Sequence, residues 1–240
     1  MNVLFLTRYD VREFGVAEVI RGLAAALGAR GVRVVVASSH PSTEGVHIAE
    51  ADACHHLPLP HPRLLDAPSS VRSLSELCQR HRIDLVHCHG LYRPGHAARL
   101  LRKATGIPYI VTSHNIMPAK RARRWRVRHR CRRILKDAAA VTCFNRVMAR
   151  DIHGFLDTRA KTWIIPNGLD LAQWSDSPAP ADVPVVLGIG RVVWDKGFDM
   201  LVEAAAHLRD APAPPAWVIA GEGEMKPELE ARARQLGLNV

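Results

Sequence analysis

Apolar residues fall along this chain in short continuous runs, separated by longer stretches where they recur every third or fourth position. The runs predict buried parallel strands and the spaced stretches predict amphipathic helices. Val3 to Leu6 is the first run. Val16 to Ala29 reads as a helix with Val19, Leu23, Ala26 and Leu27 on one side and Gly31 beyond its end, and Val32 to Ala37 is the next strand. This β–loop–α–β spacing suits a right-handed crossover between parallel strands. Weak strand signals follow at 46–48 and 56–57. Leu57 to Pro68 carries Pro58, Pro60, Pro62 and Pro68 and reads as a loop. Beyond it the pattern predicts a helix over 71–81, a strand over 83–89, a helix over 92–104, a strand over 107–112, a helix over 120–136, and strands over 138–143 and 162–165. Such alternation points to a doubly wound parallel sheet.

The segment 175–184, Ser-Asp-Ser-Pro-Ala-Pro-Ala-Asp-Val-Pro, has the composition of a linker. After it the pattern restarts: a strand over 185–190, a helix over 199–209, a strand over 217–221 and a helix over 227–236. Two βα units are fewer than a doubly wound sheet normally needs, which is about five strands. The expected fold class is therefore α/β. Residues 1–174 form one complete doubly wound domain, 175–184 a linker, and 185–240 the beginning of a second, truncated domain.

A formal charge of +10 favours an anionic partner: a nucleotide, a phosphorylated substrate, nucleic acid or a membrane surface. The five cysteines are scattered with no C-x-x-C pair. That argues against a disulfide framework or a zinc ribbon and for a reducing cytosol. The N-terminus enters a strand directly, and no signal peptide or membrane-spanning stretch is expected.

Candidate chemistry concentrates in three places. The first is the turn after Val185–Ile189, where Gly188 and Gly190 precede Arg191 and Lys196 and a helix begins near Asp199. A helix N-terminus attracts anions, and an added Arg and Lys make a diphosphate clamp. The second is the set of histidines at strand ends. His87 and His89 lie two apart and share a strand face, and a metal pair is the weaker account of them. His114 follows another strand. Ser113 and His114 point apart and form no nucleophile–base pair. The third is the segment 120–136, with ten Lys or Arg residues and no acid. Val127, Cys131, Ile134 and Leu135 form its apolar stripe. A solvated face is the ordinary account of a charge run. Here Arg123, Arg124, Arg126 and Arg130, with Trp125 among them, also suit an anionic membrane interface. No nucleic-acid motif accompanies them.

Pro166-Asn-Gly-Leu-Asp170, then Gly190-Arg-x4-Lys-Gly197, then Ile219-Ala-Gly-Glu-Gly223, together resemble the family 4 retaining glycosyltransferases of GT-B fold. The Gly15 loop, His87-Cys-His89 and Thr112-Ser-His114 extend the resemblance over nearly the whole chain. It implies two Rossmann-like domains, the second binding a nucleotide-diphosphate sugar and the first mainly a carbohydrate or lipid-linked acceptor. Carried across, Arg191 and Lys196 hold the donor diphosphate and take the place of a metal, so no cofactor is expected. Gly15 lets the first loop approach phosphates or sugar, and His114 sits at the reacting centre. His89, Asn167 and Gly168 belong to the cleft, and Gly221 with Gly223 forms a loop near the nucleotide. The resemblance implies a cytoplasmic enzyme peripheral to the inner face of a membrane.

The family's Glu-x7-Glu motif lies beyond the end of this sequence. Glu222 and Glu230 share its spacing but not its place, and read as coincidence. A complementary C-terminal half is thus an expected partner. The alternative is a non-catalytic α/β protein that binds polyanions or membrane surfaces.

Overall fold

The computed structural model describes residues 1–8, 15–38, 53–56, 68–114, 124–156, 160–169, 171 and 183–238. By internal contacts the chain divides into two compact units, Met1–Leu171 and Ala172–Val240.

In the first unit, β1 (Asn2–Thr7), α1 (Val16–Gly28), β2 (Arg33–Ser38), β3 (Ala53–His56), α2 (Pro68–His81), β4 (Leu85–His89), α3 (Arg93–Thr105), β5 (Tyr109–Ser113), α4 (Trp125–Asp137), β6 (Ala140–Cys143), α5 (Arg146–Leu156) and β7 (Thr162–Ile164) follow one another. The strands form one seven-stranded sheet in the order β3-β2-β1-β4-β5-β6-β7. Every pairing is parallel. Because side chains alternate across a strand, each apolar run serves two cores. Val3, Phe5, Val34 and Val36 pack with Ile20 and Ala24 of α1 on one face. Leu4, Leu6, Val86, Cys88, Val111 and Val141 pack on the other with Leu74 of α2, Leu101 of α3, Cys131 and Ile134 of α4, and Ile152 of α5.

The stripe predicted for the basic helix is the one buried: Val127, Cys131, Ile134 and Leu135. The helix is described from Trp125, and residues 115–123, Arg123 and the first part of the predicted 120–136 helix among them, lie outside the described residues. The weak strand at 46–48 and most of the linker at 175–184 lie outside them too. Two differences have physical reasons. The inner face of α1 is centred on Ala17, Ile20 and Ala24, with Ala26 exposed, because small residues let the helix approach β1 and β2 closely. The unpredicted α5 starts where the Asn145 side-chain oxygen accepts the Met148 N–H at 2.9 Å, an N-cap, and buries Met148 and Ile152 one turn apart.

Polar contacts fix α4 against the sheet and α3 against α4. The Tyr109 hydroxyl, fully buried, donates to the Ile134 carbonyl at 2.6 Å. Arg99 is 7% exposed and its Nε pairs with the Asp137 carboxylate at 2.6 Å, while Arg102 donates to the Asp137 carbonyl.

The second unit contains β8 (Val185–Ile189), a 3₁₀ turn (Trp194–Lys196), α6 (Phe198–Leu208), β9 (Ala216–Ala220) and α7 (Lys226–Gln235). β8 and β9 pair in parallel. Val192, Phe198, Val202, Leu229 and Ala233 form its core. The face of α6 expected from Leu201, Ala204, Ala205 and Leu208 is rotated toward Phe198 and Val202. Gly188 makes this possible, since a Cβ there would lie 2.9 Å from Leu201 and 3.0 Å from Phe198. Leu208 is left exposed.

Removing the carboxylate of this part-buried pair leaves the Arg99 guanidinium without its partner, so Asp137→Ala should cost roughly 1–3 kcal/mol. Urea denaturation of the two proteins checks this. A change below about 0.5 kcal/mol, the range of ordinary surface substitutions, would show that Arg99 is satisfied otherwise.

Candidate functional site

The C-terminal ends of β4, β5 and β6 carry a buried polar patch. Parallel register sets His89 beside Thr112 and Thr112 beside Thr142. Residues two further along, His114 and Phe144, sit above them, and His87 lies one step below His89. The patch shares the sheet face of Phe5, whose ring meets those of His87 at 5.2 Å and His89 at 4.9 Å, edge-on. The imidazoles of His87 and His89 stack at 4.3 Å, and those of His89 and His114 at 5.1 Å. Phe144 lies 5.1 Å beyond His114.

Hydrogen bonds run through this column in two separate lines. His87 Nε2 and the Thr112 hydroxyl are 2.6 Å apart, and that hydroxyl is 2.6 Å from the Thr142 hydroxyl. His89 Nδ1 and His114 Nε2 are 2.9 Å apart. Among the described residues, the buried atoms His89 Nε2 and His114 Nδ1 have no hydrogen-bond partner. His89 is 0% exposed and His87 and His114 are 8% exposed. Burial drives the His87 pKa down to about 3 and the His114 pKa down to about 4, and holds His89 well below its ordinary value, with repulsion among the three rings as a further cause for His87 and His89. All three rings are therefore neutral at physiological pH. Thr112 and Thr142 are site residues the sequence reading missed. Their signal was a polar residue inside each of two apolar runs, in register with the histidines. Among the described residues, no group of three or more His, Cys, Asp or Glu is arranged to hold a metal ion.

In the second unit, the turn between β8 and α6 presents Arg191, Trp194, Asp195 and Lys196 at the surface. Trp194 is 78% exposed, a large ring beside the two cations. Gly197, at φ 70°, ends the 3₁₀ turn and opens α6, so the helix N-terminus follows Lys196 directly. The Gly221–Gly223 loop lies against this turn from the side. The Val192 N–H donates to the Glu222 carbonyl at 2.8 Å, and the Met225 N–H to the Val192 carbonyl at 3.1 Å. A Cβ on Gly221 would stand 1.8 Å from the Gly190 carbonyl oxygen, and one on Gly223 2.1 Å from that of Val192. These glycines are required by the close approach of two backbones and so shape the cationic turn. The cavity beneath, lined by Val192, Gly221, Lys226 and Leu229, holds about 100 Å³, too small for a nucleotide. Glu222 accepts a hydrogen bond from Lys226 at 2.7 Å.

The remaining predicted residues are dispersed. Gly15 precedes α1 at φ 62°, and among the described residues nothing lies within 4 Å of a Cβ built on it. Asn167 and Gly168 are exposed. On α4, Arg124, Trp125, Arg126, His129, Arg133 and Lys136 are exposed, and Arg126 lies over the Trp125 ring at 5.2 Å. Arg130 departs from the outward-facing set: it is half-buried and lies over Tyr92 at 5.7 Å.

Residues 14–168 match the model of the glycosyl transferase 4-like domain, and residues 173–240 that of the glycosyl transferases group 1. Over 185 residues, 71% of this chain and 44% of the other, the sequence is 25% identical to TuaC of Bacillus subtilis, whose name carries teichuronic acid biosynthesis glycosyltransferase. Over 60 residues, 25% of this chain and 16% of the other, it is 43% identical to the lipopolysaccharide core biosynthesis glycosyltransferase LpsE of Rhizobium meliloti. The chain spans less than half the length of these relatives. Among solved structures, sucrose-phosphate synthase from Thermosynechococcus elongatus superposes with a TM-score of 0.78 at 19% identity, covering 100% of this chain and 69% of that one. The Anabaena protein HepE in complex with UDP gives 0.74 at 17% identity, covering 99% and 67%.

The folded column binds fewer protons than the unfolded chain between its depressed pKa values and the ordinary 6.5. Its contribution to stability is thus intact above pH 6.5 and lost as pH falls toward 4, by up to about 1.4 kcal/mol per buried histidine per unit. Melting temperature should fall steadily from pH 7 to pH 5, and His87→Leu should flatten the slope. A melting temperature unchanged across that range would mean the rings are hydrated.

Proposed function

This chain belongs to the glycosyl transferase 4-like family of GT-B fold, and from that premise we propose that it transfers a sugar, with retention, from a nucleotide-diphosphate sugar to a hydroxyl acceptor. The observation that carries the reading is the exposed Arg191–Lys196 turn at the N-terminus of α6. Two cations and a positive helix end form a site for a diphosphate, and Arg can contact two phosphate oxygens at once. In the transfer, the acceptor oxygen bonds to the anomeric carbon as the bond from that carbon to the diphosphate oxygen breaks. Both events occur on one face of the sugar, and the acceptor's proton passes to the departing diphosphate. Charge on that diphosphate is neutralised by Arg191 and Lys196 in place of a metal. HepE's structures with UDP and UDP-glucose support a nucleotide-sugar donor.

On this reading the first unit serves the acceptor. His114 lies at the sugar, with His89 beneath it, and Gly15 lies in the loop that approaches the phosphates or sugar. Asn167 and Gly168 shape the crossing between domains, and Gly221 with Gly223 braces the cationic turn. The names of TuaC and LpsE support an envelope glycan or its lipid-linked precursor as acceptor. The outward stripe of α4 supports a position on an anionic membrane at the cytoplasmic face. Arg126, His129, Arg133 and Lys136 lie opposite the buried stripe, with Arg124 and Trp125 at the N-terminal end. Among the described residues no helix is long and apolar enough to cross a membrane. The reading requires no nucleic-acid partner.

Two outcomes follow. Loss of a charge-assisted contact costs about 1.5–3 kcal/mol, so Arg191→Ala should weaken nucleoside diphosphate binding by roughly ten-fold or more in calorimetry. Unchanged affinity would remove the clamp from the account. Each basic residue near an anionic bilayer contributes at most about 1 kcal/mol. The chain should therefore co-sediment with phosphatidylserine vesicles at low salt, and lose them at high salt or on changing Arg124, Arg126, Arg133 and Lys136 to Gln. Binding that ignores lipid charge, or tighter binding to DNA at matched salt, would contradict membrane placement.

A further inference from the structure

We propose that Trp194 is the seat for the base of a nucleoside diphosphate, its indole stacked on the base while the adjoining cations hold the phosphates. This deepens the glycosyltransfer reading and rests on it. Among the described residues Trp194 is the most exposed large apolar side chain, at 78%. It does not stand alone. Ile189, which ends β8, is 74% exposed, and Met200, in the first turn of α6, is 73% exposed. A Cβ on Gly197 would lie 3.9 Å from the Met200 sulfur, so that side chain folds back over the glycine that closes the 3₁₀ turn. Scattered single apolar residues are ordinary on a surface, whereas a group of them beside charged side chains marks a contact surface.

The exposure does not come from a loose turn. Val192 is buried and bonded through its N–H and its carbonyl to the 222–225 loop. The Val193 N–H donates to the Arg191 carbonyl at 2.9 Å, the Lys196 N–H to the Val193 carbonyl at 3.0 Å, and the Gly197 N–H to the Trp194 carbonyl at 3.4 Å. The backbone on both sides of the indole is thus tied. The ring's faces are also open. Trp125 and Trp163 each have a cation over the ring, Arg126 at 5.2 Å and Lys161 at 4.6 Å. Among the described residues no cation or second ring lies over Trp194.

The surroundings of the ring select the ligand. Asp195 and Asp199 are exposed in the same stretch as Arg191 and Lys196. A bare polyanion is therefore held less firmly there than a ligand that also has an uncharged part. A planar base suits the indole, because stacking needs a face and no enclosing walls. An aliphatic tail needs an enclosing groove, and the cavity beneath the turn holds only about 100 Å³. Every base has such a face, so the ring favours nucleotides as a class over free diphosphate. Trp194 is a binding residue in this scheme and takes no part in the bond changes.

The test is titration calorimetry of the full chain, unaltered and as Trp194→Ala and Trp194→Phe, with UDP, inorganic pyrophosphate and geranyl diphosphate as probes. Trp194→Ala should weaken UDP binding roughly ten-fold, leave pyrophosphate binding unchanged, and be largely rescued by Trp194→Phe, which keeps an aromatic face. UDP affinity that ignores Trp194→Ala overturns the proposal. So does an equal loss for UDP and pyrophosphate, which marks a ring that only shapes the turn. Geranyl diphosphate bound more tightly than UDP, and released by Trp194→Ala, overturns it in favour of a lipid-linked ligand. UDP and pyrophosphate bound equally well by the unaltered chain leave the clamp standing and remove the seat for the base. Binding of neither removes the clamp, the glycosyltransfer reading and this proposal together.

Discussion

Parallel pairing through all seven strands is the constraint on which the first unit depends. A parallel strand must be followed by a crossover, and the crossovers cover both faces of the sheet. The interior of such a sheet has no room for unpaired polar groups. Polar side chains therefore collect at strand ends, and here they collect at one end of three adjacent strands. His87, His89, Thr112, His114 and Thr142 follow from that geometry. So does their neutrality, because burial disfavours the charged imidazolium.

The two units divide the electrostatics. The first carries a buried, neutral column of hydrogen-bonding groups. The turn of the second offers Arg191, Lys196 and a helix N-terminus, exposed and suited to phosphate. The glycines at 221 and 223 serve that turn at one remove, since any side chain there would drive the two backbones apart.

Much of this was legible in the sequence because periodicity reports burial. The stripe Val127–Cys131–Ile134–Leu135 was readable since a helix beside a sheet has one inward face. His87 and His89 were readable as neighbours because strand geometry puts every second residue on one side. The orientation of α1 and α6 was not, because small residues such as Ala17, Ala24 and Gly188 decide it through close approach, which hydropathy does not weigh. The partnership of His89 with His114 was hidden as well. It depends on β4 lying beside β5, a pairing set by topology, and on a register that no local pattern records. Arg130 looked equivalent to its neighbours until Tyr92 was placed beneath it.

The central claim is that the anionic part of the substrate is held by the turn between β8 and α6. Hydrogen–deuterium exchange of the whole chain, with and without saturating UDP, tests it most directly. The account predicts slowed exchange confined to the segment 190–200 and the loop 221–225 packed against it. Unchanged exchange there, with protection along 124–137 instead, would contradict it and identify a polyanion-binding protein that has the fold without the chemistry.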